Sequence, residues 1–231
     1  MPDSAPGLAT IYCDDSLLVL EKPAGLLSVP GRGEDKQDCL SRQVQACYSD
    51  ALVVHRLDMA TSGLMLMARG AGMQRQLSRL FETRQVGKRY VAVVGGQFNV
   101  AALEPPDAKG WRLVDLPIAA DWPNRPLRVI DLINGKPSQT RWRIRSVNDA
   151  SQTTCVDLEP VTGRSHQLRV HLKALGHTIL GDALYGQSTP VPLDAGAPRL
   201  LLHACRLSFN HPETGQTLRF ESAPNFGTDF L

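Results

Sequence analysis

The chain has 231 residues, of which 42% are hydrophobic, and its 25 basic and 23 acidic residues leave a net charge of +2. This length and apolar content support a buried core and exclude a disordered chain. No apolar run approaches the roughly 20 residues that span a bilayer, and the N-terminus lacks a secretion signal, so we expect a cytoplasmic protein without a membrane anchor.

The first half of the sequence predicts strands and two helices. Residues 11–29 predict a strand, a turn and a strand (IYCDD, LLVLEK, then LLSVP), closed by a polar loop at residues 30–33. A short helix is predicted over residues 38–48 and a buried strand over 63–68. Residues 71–81 predict an amphipathic helix, with apolar residues at positions 73, 77, 80 and 81.

The second half predicts mainly strands, at residues 89–95, 113–119, 127–132, 140–147 and 155–161, followed by a hairpin of 200–209 and 217–221. A helix is predicted over 166–175, with Ser165 as its N-cap and Gly176 at its end. In 140–147, three arginines alternate with Trp142 and Ile144, so we expect one face on the core and an arginine face open to water or phosphate.

Strands outnumber helices and do not alternate regularly with them, which predicts an α+β fold with a large, mainly antiparallel or mixed sheet flanked by helices and loops. We expect a single domain over residues 1–231 with its cleft on the sheet. Neither a GxGxxG helix start nor a GxxxxGK[ST] loop is present, so a dinucleotide or P-loop site has no support. Scattered cysteines without a CxxC pair predict free thiols, and no metal site is expected.

Basic residues concentrate in three segments, at residues 69–89, 125–145 and 164–177, while acidic residues lie mostly elsewhere. Such segregation is typical of a surface that binds a polyanion such as nucleic acid. The alternative is a set of solvated charged faces.

Three stretches carry candidate chemistry. In VVHRLDMATSG, Asp58 is either an ordinary turn residue that accepts main-chain N–H groups or a reactive carboxylate beside Arg56. In GKRYVAVVGG, Tyr90 is either a core aromatic or a platform for stacking a base. In TGRSHQLRVHL, Arg164 and Arg169 are either surface arginines or partners of a buried carboxylate.

These stretches, in this order and spacing, resemble the RluA family of pseudouridine synthases, as do EKPAGLLSVPGR near the start and PRLLLHA near the end. The resemblance runs from about Ile11 to about Phe220. The segments VDLPIAADWPNRP and NGKPSQT narrow it to the dual-specificity subgroup, which lacks the N-terminal S4 domain of several relatives. Met59-Ala60, where many members have charged residues, is a departure, and the linker at 184–198 matches no motif.

The resemblance implies isomerisation of uridine to pseudouridine within RNA, without a cofactor. It implies that Asp58 is catalytic, that Tyr90 stacks on the target uracil and that Arg169 pairs with the catalytic carboxylate. Asp58 would attack the ribose C1′, assist C2′ deprotonation to a glycal, or attack the uracil C6, and the sequence does not choose among these routes.

The resemblance further implies that the target base flips out of an RNA stem-loop, in 23S rRNA and in the tRNA anticodon arm. Arg56 would face the RNA, and an apolar wall would come from Leu201 or Leu202. The remaining predicted RNA-binding residues are His55, Lys88, Arg164 and His166. We expect a monomer that binds neither DNA nor a membrane.

Two other functions fit parts of the pattern. A retaining glycoside hydrolase also uses a carboxylate near an anomeric carbon, but it needs a second carboxylate, and none lies in these motifs. An RNA-binding module without catalysis would not need Asp58, Tyr90 and Arg169.

Overall fold

The computed structural model describes residues 9–186, 197 and 199–226. The chain divides into two compact units, one formed by Met1–Lys88 with His203–Pro224 and the other by Arg89–Leu202 with Asn225–Leu231. Within the described ranges, no helix is long and apolar enough to cross a membrane. The expectation of a single domain stays a prediction.

The first unit is a sheet with two helices. Its elements are β1 (Thr10–Cys13), β2 (Leu17–Lys22), α1 (Leu40–Gln45), β3 (Ala51–Val53), β4 (Ser62–Arg69), α2 (Gly70–Glu82), β11 (Leu202–Asn210, whose first residue belongs to the second unit) and β12 (Thr217–Glu221). The strand order is β1-β2-β4-β11, with β3 paired to β4 and β12 paired to β11. The β4–β11 pair is parallel and the other pairs are antiparallel.

Strands β2 and β4 are buried on both faces, which explains their continuous apolar sequences LLVL and LMLMA. Alternate side chains of a strand point to opposite faces, so each strand contributes to two cores. One core contains Leu17, Val19, Leu64, Leu66, Met73 and Leu77, and the other contains Leu18, Leu20, Met65, Met67, Leu40 and Val44. Helix α2 therefore packs on one face of the sheet and α1 on the other.

The second unit contains β5 (Gly87–Gly95, whose first two residues belong to the first unit), β6 (Arg112–Asp115), β7 (Ile118–Ala120), β8 (Arg128–Ile130), β9 (Gln139–Asn148), β10 (Thr153–Pro160) and α3 (Gln167–Ala174). Four strands form an antiparallel array in the order β5-β10-β9-β6, and β7 pairs with β8 separately. Ile118, Val170 and Tyr185 form a small core that joins the β7–β8 ribbon to α3.

The arginine face predicted for residues 140–147 is partly exposed, and its arginines also form ion pairs that the sequence did not predict. Arg141 pairs with Glu159 at 2.9 Å, and Arg143 pairs with Asp157 at 2.9 Å. The acids alternate along β10 with the same period of two as the arginines along β9, so each cation meets an anion across the strands. Arg141 and Arg143 therefore form ion pairs within the protein and remain partly exposed.

The predicted α+β class and mainly antiparallel strand pairing are confirmed, whereas three local predictions are wrong and one strand was not predicted. LLSVP forms only an isolated bridge from Leu27 to Cys39. Strand 113–119 is interrupted at Leu116-Pro117, because proline cannot donate to a ladder. The short strand β3 was missed. Finally, the residue that precedes α3 is His166 in the left-handed conformation, with φ of 57°, rather than Ser165.

Gly63 illustrates a close approach that only glycine permits. It lies in β4 with φ of +114°, and a Cβ there would lie 2.6 Å from the main-chain N of Ala204 and closer still to its carbonyl oxygen. Gly72, in the first turn of α2, has open space around its Cα and no positive φ.

We expect Gly63→Ala to lower the free energy of unfolding by about 2–4 kcal/mol, because it adds both backbone strain and a main-chain clash. Gly72→Ala is the matched control and should be neutral or slightly stabilising, because alanine favours helices. Urea denaturation of both variants measures the difference. Equal stability of the two variants would contradict the close approach of β11 to Gly63.

Candidate active site

Asp58 lies in a tight turn that leads into β4. The Thr61 N–H donates to the Asp58 main-chain carbonyl at 3.0 Å, which closes the turn over Met59 and Ala60. The side chain of Asp58 is half-buried. The turn is thus closed by the main chain of Asp58, and this bond does not use the carboxylate.

The segment that follows β2 holds this turn from one side. The Ser28 hydroxyl donates to the Leu57 carbonyl at 2.7 Å and accepts the Leu57 N–H at 3.1 Å. The Gly25 N–H donates to the Met59 carbonyl at 2.9 Å. The KPAGLLS sequence therefore fixes the main chain on both sides of Asp58.

Lys22, the last residue of β2, is a further residue that the sequence motifs did not identify. Its side chain is fully buried, and its ammonium donates to the carbonyls of Pro23 and Leu26, each at 2.8 Å, and of Met59 at 3.1 Å. Three carbonyl acceptors satisfy all three ammonium protons. Burial lowers the pKa of Lys22 to about 8, while the negative charge of Asp58 opposes this shift.

A positive charge is thus fixed in the protein interior, electrostatically coupled to the Asp58 carboxylate. A lysine in an EKP sequence gave no signal by itself, because lysine is usually solvated. The position of Lys22 at the end of a strand that begins with the apolar run LLVL, before a proline, was the available clue.

The His55 imidazole makes its contacts within the protein, through Nε2 and through the face of its ring. The Leu66 N–H donates to its Nε2 at 2.8 Å, and its ring stacks on Phe81 at a centroid distance of 4.6 Å. Burial, and secondarily the charge of Lys88, lower the pKa of His55 to about 3. Nε2 accepts a hydrogen bond, so the ring is neutral and carries its proton on Nδ1.

The other predicted residues of the first unit are placed differently. Arg56 is exposed. Lys88 is half-buried with its Nζ 5.8 Å from the Phe81 ring centroid, and burial lowers its pKa. RNA contacts by these residues and by His55 stay predictions.

In the second unit, Arg169 is buried and forms a bidentate ion pair. Its Nε donates to Asp182 Oδ2 at 2.8 Å and its Nη2 to Oδ1 at 2.6 Å. Asp182 Oδ1 also accepts the N–H groups of Leu184 and Tyr185, so the carboxylate is held in place. Asp182, in the GHTILGD stretch, was missed because no spacing rule connects it to Arg169.

The TGRSHQ loop is anchored by Gln167. Its Oε1 accepts the Thr162 hydroxyl at 2.7 Å and the Arg164 N–H at 3.0 Å, and its Nε2 donates to the Gln139 carbonyl at 2.9 Å. Arg164 is exposed on this loop, and His166 Nδ1 lies 2.7 Å from the Tyr185 hydroxyl. The loop thus presents Arg164 from a fixed main chain.

The remaining predicted residues of this unit lie on strands or next to them. Tyr90 is half-buried in β5, opposite Leu158 of β10. Leu201 and Leu202 are buried, and the Val93 N–H donates to the Leu201 carbonyl at 3.1 Å. Their contacts with a uracil stay predictions. Within the described ranges, no cluster of His, Cys, Asp and Glu has the composition of a metal site.

A family model described as RNA pseudouridylate synthase matches residues 16–174, which include the Asp58 turn, Tyr90 and Arg169. The chain therefore belongs to the RNA pseudouridine synthases, which are isomerases that act on RNA. Human RNA Pseudouridylate Synthase Domain Containing 1 has a similar solved structure, with a TM-score of 0.75 and 26% identity over 100% of this chain and 89% of that chain.

Sequence relatives narrow the class. The Dual-specificity RNA pseudouridine synthase RluA of Escherichia coli K12 is 45% identical over 225 residues, which cover 97% of each chain. Its namesake in Vibrio vulnificus is 42% identical over 93% of this chain and 82% of its own. This protein is a member of the RluA family.

The His55 environment predicts a pH effect on stability. Between about pH 6.5 and about pH 3 the unfolded chain binds a proton at His55 that the folded chain does not bind. The free energy of unfolding should therefore fall as the pH is lowered through this range, by up to about 1.4 kcal/mol per pH unit. His55→Gln keeps an acceptor for the Leu66 N–H but does not titrate.

Urea denaturation of both proteins from pH 7 to pH 4.5 measures the contribution of His55 to the pH dependence of the free energy of unfolding, because all other titrating groups are common to both proteins. The stability of the wild type relative to His55→Gln should decrease as the pH falls. A pH-independent difference would show that His55 titrates normally in the folded state.

Proposed function

We propose that this protein converts uridine to pseudouridine at specific positions in RNA stem-loops of both 23S rRNA and tRNA, with Asp58 as the catalytic carboxylate. The dual specificity of relatives that match 97% of the chain supports the two RNA classes. Lys22, Gly25 and Ser28 bind main-chain atoms on both sides of Asp58, and we call this set of contacts the clamp. The clamp fixes the turn and buries the Lys22 ammonium, which supports the assignment of Asp58 as the catalytic carboxylate.

The reaction breaks the bond between C1′ and N1 of the uridine, turns the uracil, and joins its C5 to C1′. The C5 proton is lost to solvent and N1 gains one, so the product has the mass of the substrate. A carboxylate serves this reaction either by attack on C1′ or C6, or by help with removal of the C2′ proton. The fixed turn keeps the carboxylate in place during rotation of the uracil.

The family resemblance supplies roles for other residues. We assign Tyr90 to stacking on the target uracil, Arg169 to the electrostatics of the carboxylate, and Leu201 or Leu202 to the apolar wall. The buried Arg169–Asp182 pair supports a fixed, charged position for Arg169. Arg56, which is exposed, is assigned to the RNA side of the turn, with His55, Lys88 and His166 as further RNA contacts.

Phosphate contacts offset the cost of flipping a base, which is a few kcal/mol. Several arginines and lysines form no ion pair with a carboxylate within the described part of the chain, so they can contact phosphates. They include Arg56, Arg75, Arg79, Arg125, Arg128, Lys136 and Arg164. Arg125 also lies 3.5 Å from the centroid of the exposed Trp122 ring, which is a pairing common in binding sites for unpaired bases.

We further propose that the chain acts as one catalytic domain and as a monomer, and that it works in the cytoplasm, where bacterial rRNA and tRNA are made and used. Light scattering of the free protein and of its RNA complex tests the monomer.

The decisive test uses stem-loop RNAs labelled with tritium at C5 of uridine, one with a 23S rRNA sequence and one with a tRNA anticodon arm. Wild-type protein should release tritium from both RNAs. Asp58→Asn, which keeps the size of the side chain but removes its charge, should reduce kcat by about 1,000-fold or more while RNA affinity stays within a few-fold.

Asp50→Asn is the matched control, because Asp50 is a half-exposed carboxylate of the same unit that pairs with Arg69. It should retain wild-type release. Equal activity of Asp58→Asn and wild type would refute the role of Asp58. Binding of both RNAs without release by the wild type would instead favour an RNA-binding module without catalysis.

A further inference from the structure

A chain of four side chains crosses the first unit next to the Asp58 turn. The Ser62 hydroxyl lies 2.9 Å from His203 Nδ1, and His203 Nε2 lies 2.9 Å from the Ser222 hydroxyl. The Ser222 hydroxyl donates to Glu21 Oε2 at 2.7 Å. Ser62 and His203 are buried, with 6% and 1% exposure, so both ends of the imidazole are satisfied inside the protein.

The direction of these hydrogen bonds follows from proton counting. Ser222 gives its only hydroxyl proton to the Glu21 carboxylate, so it must accept the proton of His203 Nε2. In a neutral imidazole, Nδ1 then carries a lone pair and accepts the Ser62 hydroxyl. The chain therefore runs from Ser62 through His203 and Ser222 to the negative charge of Glu21, and each bond polarises the next.

The two ends of this chain lie beside the two structures that hold Asp58. Ser62 is the first residue of β4, and it follows Thr61, whose N–H closes the Asp58 turn. Glu21 precedes Lys22, whose ammonium binds the Met59 carbonyl within that turn. Strands β2 and β4 are paired here, with Lys22 opposite Gly63.

The geometry points to His203 as a positioning residue for Asp58, an inference that rests on the proposed function. His203 lies opposite Ser62 in the parallel β4–β11 pair, and its neighbour Ala204 packs against Gly63. The His203 imidazole thus links β11 to Ser62, which directly follows the Asp58 turn. Through Ser222 and Glu21 it also fixes the end of β2, which carries Lys22.

The same contacts give a physical reason for two stretches of sequence. TSG needs a hydroxyl at Ser62 for His203 and a glycine at Gly63 for the approach of Ala204. LLLHA needs the histidine and the small residue in that order to meet them. Ser62 and His203 act on Asp58 indirectly, by fixing the main chain that follows the turn.

Three variants of the full-length protein test the inference on the tritium-labelled stem-loops. His203→Leu removes both hydrogen bonds and should reduce kcat by about 10- to 100-fold with KM within about twofold, because small displacements of a reacting group cost this much. His203→Gln can accept at Oε1 and donate at Nε2, and should recover most of kcat. Ser222→Ala removes the hydrogen bonds of Ser222 to His203 and Glu21 but keeps the bond between Ser62 and His203. It should therefore give a smaller loss in kcat.

His211→Leu is the matched control for loss of a buried histidine. His211 lies just beyond the other end of β11, eight residues or about 26 Å from His203 along an extended chain. It is also buried and hydrogen-bonded, because its Nδ1 accepts the Glu213 N–H at 3.2 Å. The control should lose stability but keep wild-type kcat per folded molecule.

Hydrogen exchange supplies a readout that does not depend on catalysis. His203→Leu should speed amide exchange at residues 58–63, including Thr61, whereas His203→Gln and His211→Leu should leave this segment protected. Should His203→Leu fail to fold, the same measurements on Ser222→Ala replace it.

The inference is overturned if folded His203→Leu keeps wild-type kcat, if it loses no more activity than His211→Leu, or if exchange at 58–63 does not change. Absence of pseudouridine formation by the wild type would refute the proposed function instead. In that case the exchange comparison still decides whether His203 positions the turn.

Discussion

The structure of the first unit depends on one buried ammonium. Lys22 lies at the end of an apolar strand, and three main-chain carbonyls surround its Nζ. An unpaired charge at this depth would cost several kcal/mol, so the carbonyls must stay in place for the chain to fold. One of them belongs to Met59, in the middle of the Asp58 turn. The requirement to solvate Lys22 therefore fixes the main chain next to the proposed catalytic carboxylate.

This constraint acts on the main chain of the turn and not on its side chains. Met59 contributes only its carbonyl, and its side chain is 52% exposed. The departure from the charged residues of many relatives at Met59-Ala60 thus has no consequence for the clamp. Ser28 and Gly25 likewise bind main-chain atoms, so the KPAGLLS segment fixes the path of the main chain on both sides of Asp58.

The strongly periodic elements of the fold could be predicted from sequence. Helix α2, strands β2 and β4, and the final hairpin follow from patterns of 3.6 or 2 residues that a core imposes. LLSVP has the composition of a strand. It does not form one, because Ser28 bonds to Leu57 and its first residue, Leu26, turns its carbonyl to Lys22. That outcome depends on tertiary contacts, which override local propensity. The ion pairs of the β9 arginines were not predicted for a related reason, since their acidic partners lie on the neighbouring strand.

Only the candidate site residues that lie in specific sequence motifs could be predicted. HRLD identified Asp58, and TGRSHQLR identified Arg169, through their resemblance to a family. Lys22, Asp182 and His203 were missed because each acts through contacts between segments that are distant in sequence. A buried lysine, an aspartate after a loop and a histidine in a strand have no local pattern that separates them from ordinary residues.

The clamp is tested most directly by the titration of Lys22. NMR of protein labelled at lysine Cε and Nζ follows each lysine through pH, and Lys22→Met assigns the signal. We expect a pKa of about 8 for Lys22, below the usual 10.5. In Asp58→Asn this pKa should fall further, because the carboxylate that stabilises the ammonium is lost. A Lys22 that titrates near 10.5, or whose pKa does not respond to Asp58→Asn, would contradict a buried ammonium coupled to Asp58.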